Sequence, residues 1–187
     1  ILKVCYEASY IGYNLCRDLN SKEIDCVIIA PSLIPEVAGK RVKTDKLDSF
    51  KLAEYYSKGL LTIIYIPDKE DEQIRDLIRS RSFLVDQCRS LKRHILSTCR
   101  RYDLNYRQEN KSVSYWTLTH IDWLTSKVNK MTGIIKKNLE ILLYQLEKLN
   151  EGITGYDEEI LKISEQEKYK KKKDTLNCFR GLDTLSS

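Results

Sequence analysis

The chain has 187 residues, 42% of them hydrophobic and 32% charged, which is enough for a core in one or two domains. Only 7 Gly and 3 Pro interrupt it, so a helix-rich chain is expected, and no apolar run approaches the ~18–20 residues of a membrane span. The net charge of +5 permits nucleic-acid binding without requiring it, and the surplus is uneven: residues 1–68 balance 9 Lys/Arg with 9 Asp/Glu, whereas residues 69–187 carry 23 against 18.

Residues 1–6 read as a buried strand ending at Glu7. With no initiator Met and an opening inside this apolar run, the sequence reads as a fragment cut within a strand. A helix is expected over Ile11 to Asn20, with Ile11, Leu15 and Leu19 at spacing four. Asp25 to Ala30 is a second strand, rich in Val and Ile and stopped by Pro31. A loop with Pro35 and Gly39 leads to a further helix, and Leu61 to Ile66 is a third strand closed by Pro67-Asp68. Strands alternating with short helices predict parallel α/β units, whose functional groups collect beyond the carboxyl ends of the strands, where Glu7 stands.

After Pro67 the pattern changes. From Lys69 to Arg101 neither Gly nor Pro intervenes, and Ile74, Leu77, Leu84, Leu91 and Ile95 mark the stripe of one long amphipathic helix. Its other face carries eight Lys/Arg between Arg75 and Arg101, Arg89 and Arg93 among them. A polar connector ends at Tyr115-Trp116. A second long helix is expected from about Thr117 to Asn150, on the stripe Ile121, Leu124, Val128, Met131, Ile135, Leu139, Leu142, Leu146 and Leu149. Glu151 to Gly155 reads as a break, and a third helix as running from Tyr156 to Cys178. Its Lys170–Lys173 run is either a solvated face or a nucleic-acid patch. Such sustained stripes predict a coiled-coil-like hairpin or a dimerisation arm. The six cysteines form no C-x-x-C pair and only two histidines could join them, so they read as isolated core thiols of a reducing cytosol rather than as a zinc site or disulfides.

The chemistry concentrates in Gly39–Gly59. Asp45 and Asp48 stand three apart on the first turn of a helix and therefore share a face. They sit at the edge of an expected apolar stripe of Phe50, Ala53 and Tyr56. Lys40, Arg41, Lys43 and Lys46 surround them, a charge that suits a phosphate-bearing substrate. An acidic helix start is also what the helix dipole favours without any site. Glu7 with these two aspartates could converge on hard divalent cations, and two such ions can drive phosphodiester cleavage.

The runs YEAS-x-x-GYNL (Tyr6–Leu15), VIIAPSLIP (Val27–Pro35) and G-x-RVKTDKLDSFKLA (Gly39–Ala53) resemble the DEDD transposases of bacterial insertion sequences. The likeness continues through LTIIYIPD, the basic helix, Trp116 and CFRGLDTLSS, and so covers nearly the whole chain. It implies an α/β fold: a partial domain similar to RuvC and RNase H over residues 1–68, long helices over 69–177, and the opening of a C-terminal transposase domain over 178–187. It also implies Mg²⁺ or Mn²⁺ held by Glu7, Asp45 and Asp48, and DNA as substrate, contacted by Lys40, Arg41, Lys43, Lys46, Arg89 and Arg93. A guide (bridge) RNA, a homo-oligomer formed through the long helices and a bacterial or archaeal cytoplasm are implied as well. The family's first Asp would precede Ile1 and its catalytic serine would follow Ser187, so the chain alone is expected to be an incomplete enzyme; a non-catalytic helical scaffold or decayed remnant is the competing expectation.

Overall fold

β1 (Lys3–Glu7) and β2 (Asp25–Ile29) pair in parallel, with Lys3 opposite Asp25 and Glu7 opposite Ile29, and α1 (Asn14–Ser21) crosses between them. They belong to a computed structural model that describes residues 2–35, 44–110 and 114–184 and forms two compact units, Ile1–Lys69 and Glu70–Ser187.

In the first unit, the two-residue period of the strands sends Val4 and Tyr6 to one side with Cys26 and Ile28, where they pack with Cys16, Tyr13 and Leu19. Ile29 is buried on the opposite side, so β2 is covered on both faces, which explains its unbroken Cys-Val-Ile-Ile run. The side chain of Asn20 pins the start of β2. It accepts from the Cys26 N–H at 2.8 Å and donates to the Cys26 carbonyl at 3.1 Å. α1 begins later than its spacing-four pattern predicts, because Gly12 takes φ +68, outside the helical region. The wheel turns accordingly: Ile11 and Leu15 are exposed, and Cys16 is the fully buried residue.

The expected third strand over Leu61–Ile66 is reduced to a single bridge, Ile63 with Ile29, and it is antiparallel. Ala30 N–H donates to Thr62 O at 3.0 Å and Ile64 N–H to Ile28 O at 2.9 Å. The segment therefore meets β2 from its carboxyl end and runs against it, a pairing that needs no crossover helix. α2 (Asp45–Ser57) stands between β2 and this segment in the chain. It closes on Gly59 at φ +67, with Gly59 N–H donating to Tyr56 O and Leu60 N–H to Tyr55 O.

Among the described residues, the regular elements of the second unit are helices: α3 (Lys69–Arg101), α4 (Tyr106–Glu109), α5 (Leu118–Asn129), α6 (Gly133–Ser164) and α7 (Glu167–Asn177). α3 spans the predicted range. Cys88, Ile95 and Cys99 on α3, Leu124 and Val128 on α5, and Leu139 and Leu146 on α6 form one core. Every member of the predicted 121–149 stripe lies in or against that core, yet the single long helix is two. It divides at Lys130–Thr132, because Gly133 takes φ +75 and Thr132 an extended backbone.

The predicted break at Glu151–Gly155 is absent, and α6 runs on to Ser164. Gly152 lies where a Cβ would meet Leu84 Cδ1 at 3.0 Å, so the glycine lets α3 approach α6 closely. Tertiary packing thus overrides the ~1 kcal/mol helix penalty of glycine. A Cβ added at Gly155 would meet nothing within 4 Å. Gly155→Ala is therefore expected to raise the urea midpoint by the equivalent of about 0.5–1 kcal/mol, and Gly152→Ala by less, because Leu84 must move. Equal gains at both positions would refute the close approach.

The predicted third helix also begins elsewhere. Glu165 and Gln166 form the break, and α7 turns back from an extended Gln166. There Lys168 pairs with Glu70 and Asp71 at 2.9 Å each, and the Tyr169 hydroxyl donates to Asp71 at 2.6 Å. Those contacts, the Tyr169 hydrogen bond first and Lys168 next, hold the Asp71 carboxyl below its ordinary range. Of the six thiols, Cys16, Cys26, Cys88 and Cys99 are buried, but Cys5 is half-buried and Cys178 is exposed rather than a core thiol. Among the described residues no helix is long and apolar enough to cross a membrane.

Candidate functional site

The local sequence explains why the two aspartates open a helix. Thr44 has an extended backbone and its Oγ1 accepts from the Leu47 N–H at 3.3 Å, a cap worth about 1 kcal/mol. Asp45 and Asp48 follow in the first turn, where the exposed N–H groups favour negative charge.

The face of α2 that packs is not Phe50–Ala53–Tyr56. Phe50 is 65% exposed and Ala53 is exposed, while Leu52, Tyr55 and Tyr56 are half-buried. α2 packs on β1, so its apolar side is chosen by what β1 offers and not by the wheel alone. Counting back from Leu52 by four and seven residues reaches Asp48 and Asp45, which lie in line with the half-buried stripe but are themselves exposed.

Burial pushes the Tyr56 phenol up, with Asp25 and the Cys5 and Cys26 thiols adding to the rise and Lys3 opposing it. Tyr56 thus stands near the start of both strands. By the same two-residue period Glu7 belongs with Lys3, four residues further on. It is exposed at the carboxyl end of β1. From Tyr56 back to Asp48 the helix rises about 12 Å, and from Lys3 to Glu7 the strand extends about 13 Å.

All three carboxylates are exposed. Among the described residues, no three His, Cys, Asp or Glu side chains come close enough together to hold a metal ion, these three included. Lys46 is exposed on the same first turn, whereas Lys40, Arg41 and Lys43 lie outside the described residues.

On α3 the basic face is turned outward as the stripe requires. Arg93 is exposed, and Arg89 is exposed and paired with Asp86 at 3.0 Å. Arg81 departs from that face. It is half-buried and grips Asp157 of α6 through Nε and a second nitrogen. Lys92 turns onto the Trp116 ring at 5.6 Å.

The sequence reading did not find one polar centre of this unit. His120 is fully buried, its Nδ1 accepts from the Trp116 N–H at 3.0 Å, and Tyr106, Tyr115, Trp116 and Trp123 surround it. The signal in the sequence was the Trp116–His120 spacing of four behind Thr117, whose Oγ1 caps α5 by accepting from the His120 N–H. Glu109 fastens α4 to α5 by accepting from Lys127 at 2.7 Å and Trp123 Nε1 at 3.0 Å. These two contacts, Lys127 first, hold its carboxyl low.

The family model of the IS110-type DEDD transposases, described as transposase, matches residues 2–102. The chain belongs to that transposase family. It is 32% identical over 184 residues to the transposase for insertion sequence element IS1533 of Leptospira borgpetersenii, covering 98% of this chain and 52% of that protein. It is 35% identical over 120 residues to the putative transposase y4qE of Sinorhizobium fredii (strain NBRC 101917 / NGR234), covering 64% of this chain and 30% of that protein. The chain thus spans about half or less of these relatives. No solved structure matches it.

Proposed function

We propose that this chain is the amino-terminal portion of an insertion-sequence transposase. In this reading Glu7, Asp45 and Asp48 contribute carboxylates to a metal-dependent site for DNA strand cleavage and exchange. What supports it is the packing of α2 on β1, with Asp45 and Asp48 in the first turn of that helix and Glu7 at the carboxyl end of that strand. Exposed carboxylate oxygens are the donors that Mg²⁺ and Mn²⁺ prefer. Bound cations would supply activation of an attacking oxygen and stabilisation of a leaving one. The residues themselves hold and orient: the Thr44 cap fixes the first turn, and the mutual repulsion of Asp45 and Asp48 favours a cation between them. The RuvC-like character of residues 1–68 and the assignment of residues 178–187 to a C-terminal transposase domain belong to the same reading. So do DNA contacts by Lys40, Arg41, Lys43, Lys46, Arg89 and Arg93, a guide RNA, and self-association through the long helices.

The family resemblance implies a further Asp and a serine nucleophile that the matched motifs do not supply, so in this reading strand transfer by these residues alone is not expected. The test uses the purified chain with supercoiled and branched DNA. Mn²⁺ is expected to raise its melting temperature by about 2–4 °C in an Asp45-dependent manner, without cleavage. Its affinity for DNA is expected to fall steeply with salt. Metal-dependent cleavage that disappears in Asp45→Ala would show that the chain completes its own site. The second reading, a non-catalytic nucleic-acid scaffold, is favoured by the absence of a gathered triad of ligands among the described residues. Salt-sensitive DNA binding with no effect of metal on melting would establish it over the first.

A further inference from the structure

α5 and α6 enclose a groove of about 880 Å³ on the helical unit, and its character is opposite to that of the chain as a whole. Val128 and Leu146 form a buried floor, with Ile121 and Leu143 half-buried beside them. Along α6 the wall carries Glu140, Glu147, Glu151 and Glu158. Their spacings of seven, four and seven residues set them in one line on one helix face, about 27 Å long. Tyr144, 56% exposed, stands in the same line. Glu151 is engaged by Lys148 at 2.7 Å, whereas Glu140, Glu147 and Glu158 form no ion pair among the described residues.

A chain of net charge +5 that gathers four carboxylates along an apolar trough is not presenting that trough to phosphates, which the carboxylates repel. Heptad spacing is the repeat by which one helix meets another. An apolar floor flanked by regularly spaced charges of one sign matches an amphipathic helix flanked by charges of the other sign. We infer that the α5–α6 groove is a docking surface for a cationic amphipathic helix of a protein partner. Its apolar residues at spacings of three and four would lie over Val128, Leu143 and Leu146, and its Lys or Arg side chains would pair with the unengaged glutamates.

The test measures fluorescence anisotropy of the 187-residue chain with a labelled synthetic Leu/Lys helix of about 18 residues, which matches the length of the groove. The control peptide has the same composition in alternating order, which cannot segregate a helical face. The amphipathic peptide is expected to bind at least about tenfold tighter than the control, and to lose affinity as salt rises from about 0.05 M to about 0.5 M. Glu147→Lys combined with Glu158→Lys should weaken it at least about tenfold at unchanged helical circular dichroism, and the Gln pair should weaken it less. Equal binding of both peptides, or of the wild-type and reversed chains, would overturn the proposal. So would a change in sedimentation mass in the reversed variant, which would identify a second copy as the occupant.

Discussion

Leu139→Ala is expected to lower the stability of the helical unit by about 3 kcal/mol, within a range of about 2–5 kcal/mol, read as a lower urea midpoint of the circular dichroism of α-helix. Leu139 is fully buried on α6 and belongs to the cluster that joins α3, α5 and α6. Truncation removes three carbons from apolar surroundings and leaves a cavity that three helices border, so the loss includes both the transfer of the side chain and the unfilled volume. The controls lie on the same helix. Ile134 is 91% exposed and Ile141 is 50% exposed, and the same truncation at Ile134 is expected to change stability by no more than about 0.5 kcal/mol. Leu139 and Ile134 behaving alike would mean that α6 buries a different face from the one described.

The second large effect is a dependence on acid. Burial holds the His120 imidazole below its ordinary value of 6.5. The ring is neutral, since Nδ1 accepts the Trp116 N–H, and a proton there would displace that donor. A proton would also bring positive charge among cations already placed on the neighbouring rings: Lys92 over Trp116, Arg107 over Tyr115 and Lys127 over Trp123. Glu109, which bonds to Trp123 and Lys127, is the carboxylate nearest by contact. Below pH 6.5 the unfolded chain takes up a proton on this residue that the folded chain refuses. Stability from this source is therefore complete above about pH 6.5 and falls as pH drops, by at most about 1.4 kcal/mol per pH unit, until the folded imidazole also protonates. Asp71, Glu109 and Glu165 have lowered carboxyl values, and their loss is confined to pH below the ordinary 3.8–4.5 of such groups. The interval from about 6.5 to about 5 thus isolates His120. His120→Gln, which keeps an acceptor for Trp116, is expected to flatten the slope in that interval, and replacement of the exposed His94 should leave it. A slope that survives His120→Gln would assign the acid sensitivity to another group.

The sequence by itself determined the features that depend on near neighbours in the chain. The uninterrupted period from Lys69 to Arg101 defined α3 to its ends, because a continuous amphipathic stripe with a basic outer face is satisfied by one helix and by no strand. The nine apolar positions from Ile121 to Leu149 were legible as core even though the helix carrying them is divided, since burial follows the stripe and not the unbroken backbone. The aspartates on the first turn of α2 were legible for the same reason, since an acidic helix start acts within one helical turn. The motifs around Glu7, Asp45 and Asp48 likewise carried the family resemblance that the comparison established.

Only the tertiary structure decided which side of an element meets a neighbour. Leu52 and Tyr55 rather than Phe50 face inward on α2 because β1 lies there, and a wheel drawn from α2 alone contains no β1. Gly152 stays helical because Leu84 of α3 occupies the space over it, while Gly133 stands where α5 and α6 divide, at a positive φ; the two residues are the same letter in the sequence. The antiparallel bridge at Ile63, the burial of His120 and the line of glutamates against Val128 and Leu146 join residues far apart in the chain. Such pairings are fixed by which surfaces can be buried together at close packing, a property of the assembled elements that no local period encodes.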